Sequence, residues 1–114
     1  MNANISNIVD KHAAALKKLS LDIHENPELG MEEFKACKWQ TDLLSKMDFD
    51  VQTPYAQMQT AYLAKSGKGK PVFCFLSEYD ALPEMGHACG HNLICSASIG
   101  AGKKGRVWAT LRLK

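Results

Sequence analysis

Within five residues of one another stand His87, Cys89 and His91, in the run Gly86-His87-Ala88-Cys89-Gly90-His91-Asn92. A thiolate and an imidazole are the usual protein ligands of zinc and related divalent metals. Gly90 lets the backbone bend so that Cys89 and His91 can turn toward one centre. The pair supplies two ligands, whereas a closed tetrahedral site needs four. On residue types alone three readings stay open: part of a metal site, a buried cysteine beside two hydrogen-bonded histidines, or a Cys89 nucleophile with a histidine base. Just upstream, Glu78, Asp80 and Glu84 crowd carboxylates into the same stretch.

The elements that must position this stretch follow from periodicity. Ile5, Ile8, Val9, His12, Leu16, Leu19 and Ile23 recur at steps of three and four and predict an amphipathic helix from about Ile5 to Glu25. Asn26-Pro27 stops it. A second helix is expected from Met31 to about Met47, with Glu32 and Glu33 in its first turn, where the helix dipole favours carboxylates. Its inner stripe is Phe34, Cys37, Thr41, Leu44 and Met47. The period then changes: Phe49 to Val51 and Thr60 to Ala64 read as short strands, and Gly67-Lys68-Gly69-Lys70 as a turn. That turn lacks the spaced glycines and Ser/Thr of a phosphate loop.

Pro71-Val72-Phe73-Cys74-Phe75-Leu76 is a continuous apolar run, expected of a strand covered on both faces. Residues 91–101 predict a third helix whose Ala97, Ser98 and Gly100 permit close packing. The fold class is α/β, helices against a small mixed sheet. The polar stretch from Ser77 to Asn92 falls after a buried strand, where open α/β sheets place ligands.

Composition narrows the function classes. The chain has 114 residues, 46 % apolar and 23 % charged, which suits one small globular domain. No apolar run approaches the roughly 18–20 residues of a membrane helix, and the N-terminus does not read as a secretory signal. Four scattered cysteines suggest a reducing, cytoplasmic setting. The first 102 residues carry nine lysines against twelve acidic residues, a net charge of −3, and no arginine. Residues 103–114 carry five basic residues and no acidic ones. The tail has no nucleic-acid recognition motif, so no nucleic-acid partner is expected. The joint change of arginine usage and charge sign suggests a tail of different origin, with the domain proper at 1–102.

Glu78-Tyr79-Asp80-Ala81-Leu82-Pro83 followed by Gly86-His87-Ala88-Cys89-Gly90-His91-Asn92 resembles the signature of the M20 peptidase family of metal-dependent amidohydrolases. Within it the closest branch is that of aminobenzoyl-glutamate hydrolases and related dipeptidases. His24-Glu25-Asn26-Pro27-Glu28-Leu29-Gly30, with Glu33 soon after, is similar to the family's His-x-x-Pro-Glu segment. The similarity runs from about Ile8 to Gly102. It implies the amino-terminal part of a metallopeptidase-like catalytic domain with a two-metal site, zinc or manganese, that cleaves the amide bond of an N-acyl amino acid or dipeptide. Cys89 and His91 match metal ligands, and Asp80 matches a carboxylate that orients one. Glu78 stands where many wider relatives carry a histidine ligand. His24 is expected to be a hydrogen-bonding residue and His87 not to be a ligand. In the mechanism implied, the metals polarise the scissile carbonyl and activate water, with a glutamate as general base.

The chain also departs from that pattern. It has no Glu or Asp after Glu84 and no His after His91, whereas the family's Glu-Glu pair, remaining ligands and final histidine lie farther along a much longer chain. The expectation is therefore an incomplete metal site and a piece inactive alone. The alternative is a self-contained metal-binding or interaction protein in which a dimer joins two copies of Cys89 and His91. The oligomeric state is not set by the sequence.

Overall fold

Amphipathic spacing produces the first two helices, and their ends are fixed by local hydrogen bonds. The structure is a computed structural model that describes residues 3–103 and 107–108, with side chains from residue 6 to 103. Helix α1 spans Ala3–Glu25. Leu19 and Ile23 are buried on its inner face and Leu16 packs against them, each fully buried side chain contributing about 1.5–3 kcal/mol. Val9, expected on that stripe, is exposed, and the side chain of Ile5 lies outside the described residues. Asn26 closes the helix: its Nδ2 donates to the Asp22 carbonyl at 2.9 Å, satisfying one of the carbonyls that every helix end leaves unpaired.

Helix α2 spans Phe34–Lys46, three residues shorter at its start than the pattern suggests. Glu33 occupies the N-cap position, but its carboxylate turns inward and accepts the Thr60 hydroxyl at 2.8 Å. The helix N-terminus is satisfied instead from outside the helix. Glu28 accepts the Lys35 N–H at 3.0 Å and the Ala36 N–H at 2.8 Å, placing its charge at the positive end of the dipole. Cys37, Thr41, Leu44 and Met47 are buried as expected, whereas Phe34 is 59 % exposed. Phe34 is the first helical residue, and the burial expected of it comes from Ala36 and Gln40 instead.

Strands β1 (Asp50–Gln52) and β2 (Leu63–Lys65) pair antiparallel with Val51 opposite Ala64. Both begin slightly later than the sequence pattern places them. All of Thr60 to Ala64 is buried, so no in–out alternation marks that stretch. Strand β3 is only Phe73–Cys74, and strand β4 is Val107–Trp108. The sheet order is β1-β2-β4-β3, with β4 antiparallel to β2 and parallel to β3. The sheet is therefore small and mixed, and the fold is α/β.

One strand expectation fails. The run from Pro71 to Leu76 is not a strand covered on both faces: Val72, Phe73 and Leu76 are exposed, and β3 is an edge of the sheet. Continuous apolarity records that a segment is suited to burial, but whether anything covers it depends on neighbouring chain. Of the basic tail, residues 104–106 and 109–114 lie outside the described residues.

Helix α3, His91–Gly102, packs chiefly along α1. Small residues make this possible, since a Cβ at Gly100 would lie 3.1 Å from Leu16 Cδ1. Buried Asn92 donates its Nδ2 to Ser20 Oγ at 3.0 Å, tying the start of α3 to α1. The core joins Leu19 and Ile23 of α1, Cys37 and Leu44 of α2, Cys95 and Ile99 of α3, and the stacked rings of Tyr62 and Tyr79.

Candidate functional site

From Ser77 to Ala81 the chain alternates in burial. Ser77, Tyr79 and Ala81 are buried, while Glu78 and Asp80 are half-exposed, the two-residue period of extended chain. The inward side chains are anchored by hydrogen bonds. Ser77 Oγ donates to Gln40 Oε1 at 2.6 Å, and Tyr62 donates to the same oxygen at 2.9 Å. Gln40 is itself held by its Nε2 donating to the Ala36 carbonyl at 3.0 Å. The Tyr79 hydroxyl donates to the Thr60 carbonyl. Helix α2 and the chain before β2 thereby fix which way Glu78 and Asp80 point.

Both carboxylates meet His91, the first residue of α3. Asp80 presents two acceptors to the His91 Nδ1: its Oδ1 at 2.9 Å and its own carbonyl at 3.0 Å. Glu78 Oε2 lies 3.4 Å from the other ring nitrogen, Nε2. Gly90, with φ of 74°, occupies the left-handed region that favours glycine and starts the helix there. Its N–H donates to the His87 carbonyl at 3.0 Å. Cys89 is exposed and, among the described residues, in no disulfide.

The two separated motifs converge. The Ala81 N–H donates to the Glu28 carbonyl at 2.8 Å, and Leu29 bridges Ala81 in parallel. The exposed ring of His24 lies 6.4 Å, centroid to centroid, from that of His87. His87 is only 9 % exposed, and among the described residues neither ring nitrogen has a hydrogen-bond partner of good geometry. Burial holds this imidazole below its usual range, with His24 and His91 acting in the same direction; Asp80 and a weak backbone contact at Ile23 oppose them.

Asp80 and His91 are thus directly joined. Cys89 and His91 flank Gly90, but among the described residues no three of His, Cys, Asp and Glu are grouped to hold an ion. Sequence reasoning misses the Glu78 contact to His91 and the role of Gln40. The signal for Glu78 is the alternation itself, which puts residues 78 and 80 on one side.

No family model matches the chain. It is 32 % identical over 103 residues to a component of the p-aminobenzoyl-glutamate hydrolase of Escherichia coli (strain K12), covering 75 % of this chain and 21 % of that protein. It is 39 % identical over 107 residues to the Xaa-Arg dipeptidase of Homo sapiens, covering 82 % and 24 %. It is 36 % identical over 96 residues to the IAA-amino acid hydrolase ILR1-like 5 of Arabidopsis thaliana, covering 71 % and 22 %. The chain spans between a fifth and a quarter of the length of these relatives.

Proposed function

We propose that this chain, which is homologous to M20-family hydrolases and dipeptidases, carries part of a metal-dependent amidohydrolase site for the amide bond of an N-acyl amino acid or dipeptide. The observation that carries the reading is the Asp80–His91 contact. Asp80 offers two acceptors to Nδ1, which orients the ring and leaves Nε2, beside Glu78 Oε2, as the nitrogen that would face an ion. A carboxylate that orients and enriches an imidazole in this way is the usual companion of a histidine ligand. In this reading His91 and Cys89 are ligands, Asp80 is the positioning residue, and Gln40 and Thr60 hold Asp80 in place through Ser77 and Tyr79. A bound divalent ion, zinc or manganese, would supply polarisation of the scissile carbonyl and activation of water.

The 114 residues alone are proposed to be catalytically silent. Besides Asp80, Glu78 and Glu84 are the carboxylates close in sequence to the ligands, neither at the position of the family's catalytic glutamate, and a positioned general base is worth about 10²–10⁴-fold. The test pairs binding with turnover. Zinc titration should show weak binding that Cys89→Ser combined with His91→Ala abolishes. Release of p-aminobenzoate or free amino acid from a panel of N-acyl substrates should stay at background with zinc, manganese or cobalt. Stoichiometric metal retention by the doubly substituted protein would overturn the site. Turnover lost in Cys89→Ser protein would overturn the silence.

A further inference from the structure

We infer that two copies of this chain pair edge to edge through the segment from Lys70 to Glu78, antiparallel about a two-fold axis that passes beside Cys74. The surface is the outer edge of β3, and the partner is a second copy of the same chain. The inference rests on neither metal binding nor amide hydrolysis.

The sequence of this edge is complementary to its own reverse. With Cys74 on the axis, Phe73 falls opposite the partner's Phe75 and Val72 opposite the partner's Leu76. Lys70 then falls opposite the partner's Glu78, and Lys68 opposite the partner's Asp80. The segment is basic at its amino end, apolar in the middle and acidic at its carboxyl end. Antiparallel pairing therefore joins unlike charges, whereas parallel pairing in register would set lysine beside lysine. Unlike charges and aromatic pairs directly opposed stabilise neighbouring strands, and like charges destabilise them. A shift of two residues in either direction keeps one of the two charge pairs and sets Lys70 or Glu78 against an apolar residue. The contact is isologous, so it closes at two copies.

The structure presents this edge to solvent. β3 ends the sheet, and among the described residues no strand lies beyond it. Such an edge offers unpaired backbone groups to another chain. Val72, Phe73 and Leu76 are 47 %, 57 % and 42 % exposed, and Lys68, Lys70 and Cys74 are exposed as well. In extended chain Val72, Cys74 and Leu76 share a parity with Glu78 and Asp80, whose side chains reach solvent while Ser77 and Tyr79 are buried. The chain bends at residues 69–71. The regular ladder therefore runs from Val72 to Leu76, and Lys70 meets the partner's Glu78 by the reach of its side chain. The Glu78 side chain is 36 % exposed, enough to receive it, although its Oε2 lies 3.4 Å from His91 Nε2.

Cys74 gives this register a covalent readout. Opposed Cα atoms in an antiparallel pair lie about 4.5–5.5 Å apart, within the roughly 4.4–6.8 Å that a disulfide spans. Diamide, which takes one electron and one proton from each of two thiols, should link the full chain into dimers through Cys74, read by mass spectrometry. Cys89, also exposed, reports random collision, and dimers linked through it should form at least roughly tenfold more slowly, because held thiols react at a raised effective concentration. Val72→Cys and Leu76→Cys chains, each also carrying Cys74→Ser and Cys89→Ser, should link to each other when mixed and far less to themselves. Lys70→Glu should shift dimer formation to several-fold higher concentration in sedimentation, with an unchanged circular dichroism spectrum.

Equal rates of linkage through Cys74 and Cys89 would overturn the inference. So would Val72→Cys chains that link to themselves as fast as to Leu76→Cys chains, since that places the strands in another register. A wild type that keeps the mass of one chain at high concentration would overturn it without any substitution. None of these outcomes bears on zinc binding at Cys89 and His91, which the titration above tests separately.

Discussion

At Asp80 one side chain and its own carbonyl address the same ring nitrogen of His91. Asp80→Asn keeps the volume but removes the charge and presents an amide that can flip its N–H₂ toward Nδ1. Zinc affinity is expected to fall about 10–100-fold with little change in thermal stability, as checked by parallel zinc titration and calorimetry. The thiols supply a second residue-scale expectation. Burial pushes the Cys95 thiol up to about 12 and raises that of Cys37 as well, whereas Cys74 and Cys89 are exposed. A thiol reagent at pH 8 should modify two cysteines quickly and two only on unfolding; four fast thiols would contradict the burial. The linkage has a definite sign. The folded state retains thiol protons that the unfolded state releases above the ordinary value of 9.0. Stability should therefore be undiminished by this term below pH 9 and fall as pH rises from 9 toward 12, read by urea denaturation at stepped pH. At this scale the pairing of Asp80 with His91 is legible in the sequence. Asp80, Cys89 and His91 come from spacing and resemblance, because chemistry-bearing side chains cluster along the chain. Glu78 is placed but not assigned, since its contact depends on an angle that only the anchored backbone sets.

Helices α1 and α3 meet through Gly100, and substitutions there separate two effects. Ala is favoured over Gly within a helix by about 1 kcal/mol, but a Cβ at Gly100 would press on Leu16 Cδ1 at 3.1 Å, the movable end of a side chain. Gly100→Ala should therefore be close to neutral, while Gly100→Leu should destabilise by about 1–3 kcal/mol through overpacking. Urea midpoints would tell the two apart. Gln40 is the element-scale link between α2 and the ligand segment. Gln40→Leu would remove the acceptor shared by the hydroxyls of Tyr62 and Ser77; a buried hydroxyl that loses its partner costs about 1–3 kcal/mol, so the melting temperature should fall. The helices are legible because a period of 3.6 is written locally, and their ends move by only a few residues. The cap of α2 is not, because Glu28 reaches it across a turn, from seven and eight residues before the amides it satisfies. Strands of two or three residues carry too little pattern to be bounded from sequence.

At the scale of the whole molecule the least expected feature, among the described residues, is the exposed apolar edge. Val72, Phe73 and Leu76 are exposed around edge strand β3, and Leu93 and Ile94 are exposed on α3. An unpaired strand edge bearing large apolar side chains invites association. Sedimentation over a concentration series should give a mean mass that rises above the 12.6 kDa of one chain. Phe73→Lys should restore the single-chain mass, and a wild type that stays at that mass at high concentration would refute the expectation. The fold class is legible at this scale because helices and apolar segments alternate, but coverage is not. An apolar run looks the same whether or not another segment lies over it.

The segment from Ser77 to Ala81 counts in twos, so its function depends on parity. Removing one residue between Leu76 and Asp80 would exchange its two sides, sending an anchoring hydroxyl to solvent and a carboxylate toward the core. Removing two would shorten the reach to α3 but keep carboxylates outward. Single deletions here should be worse tolerated than double ones, the reverse of what length alone would suggest. Lineages that lengthen or shorten this connection would then be expected to do so in steps of two.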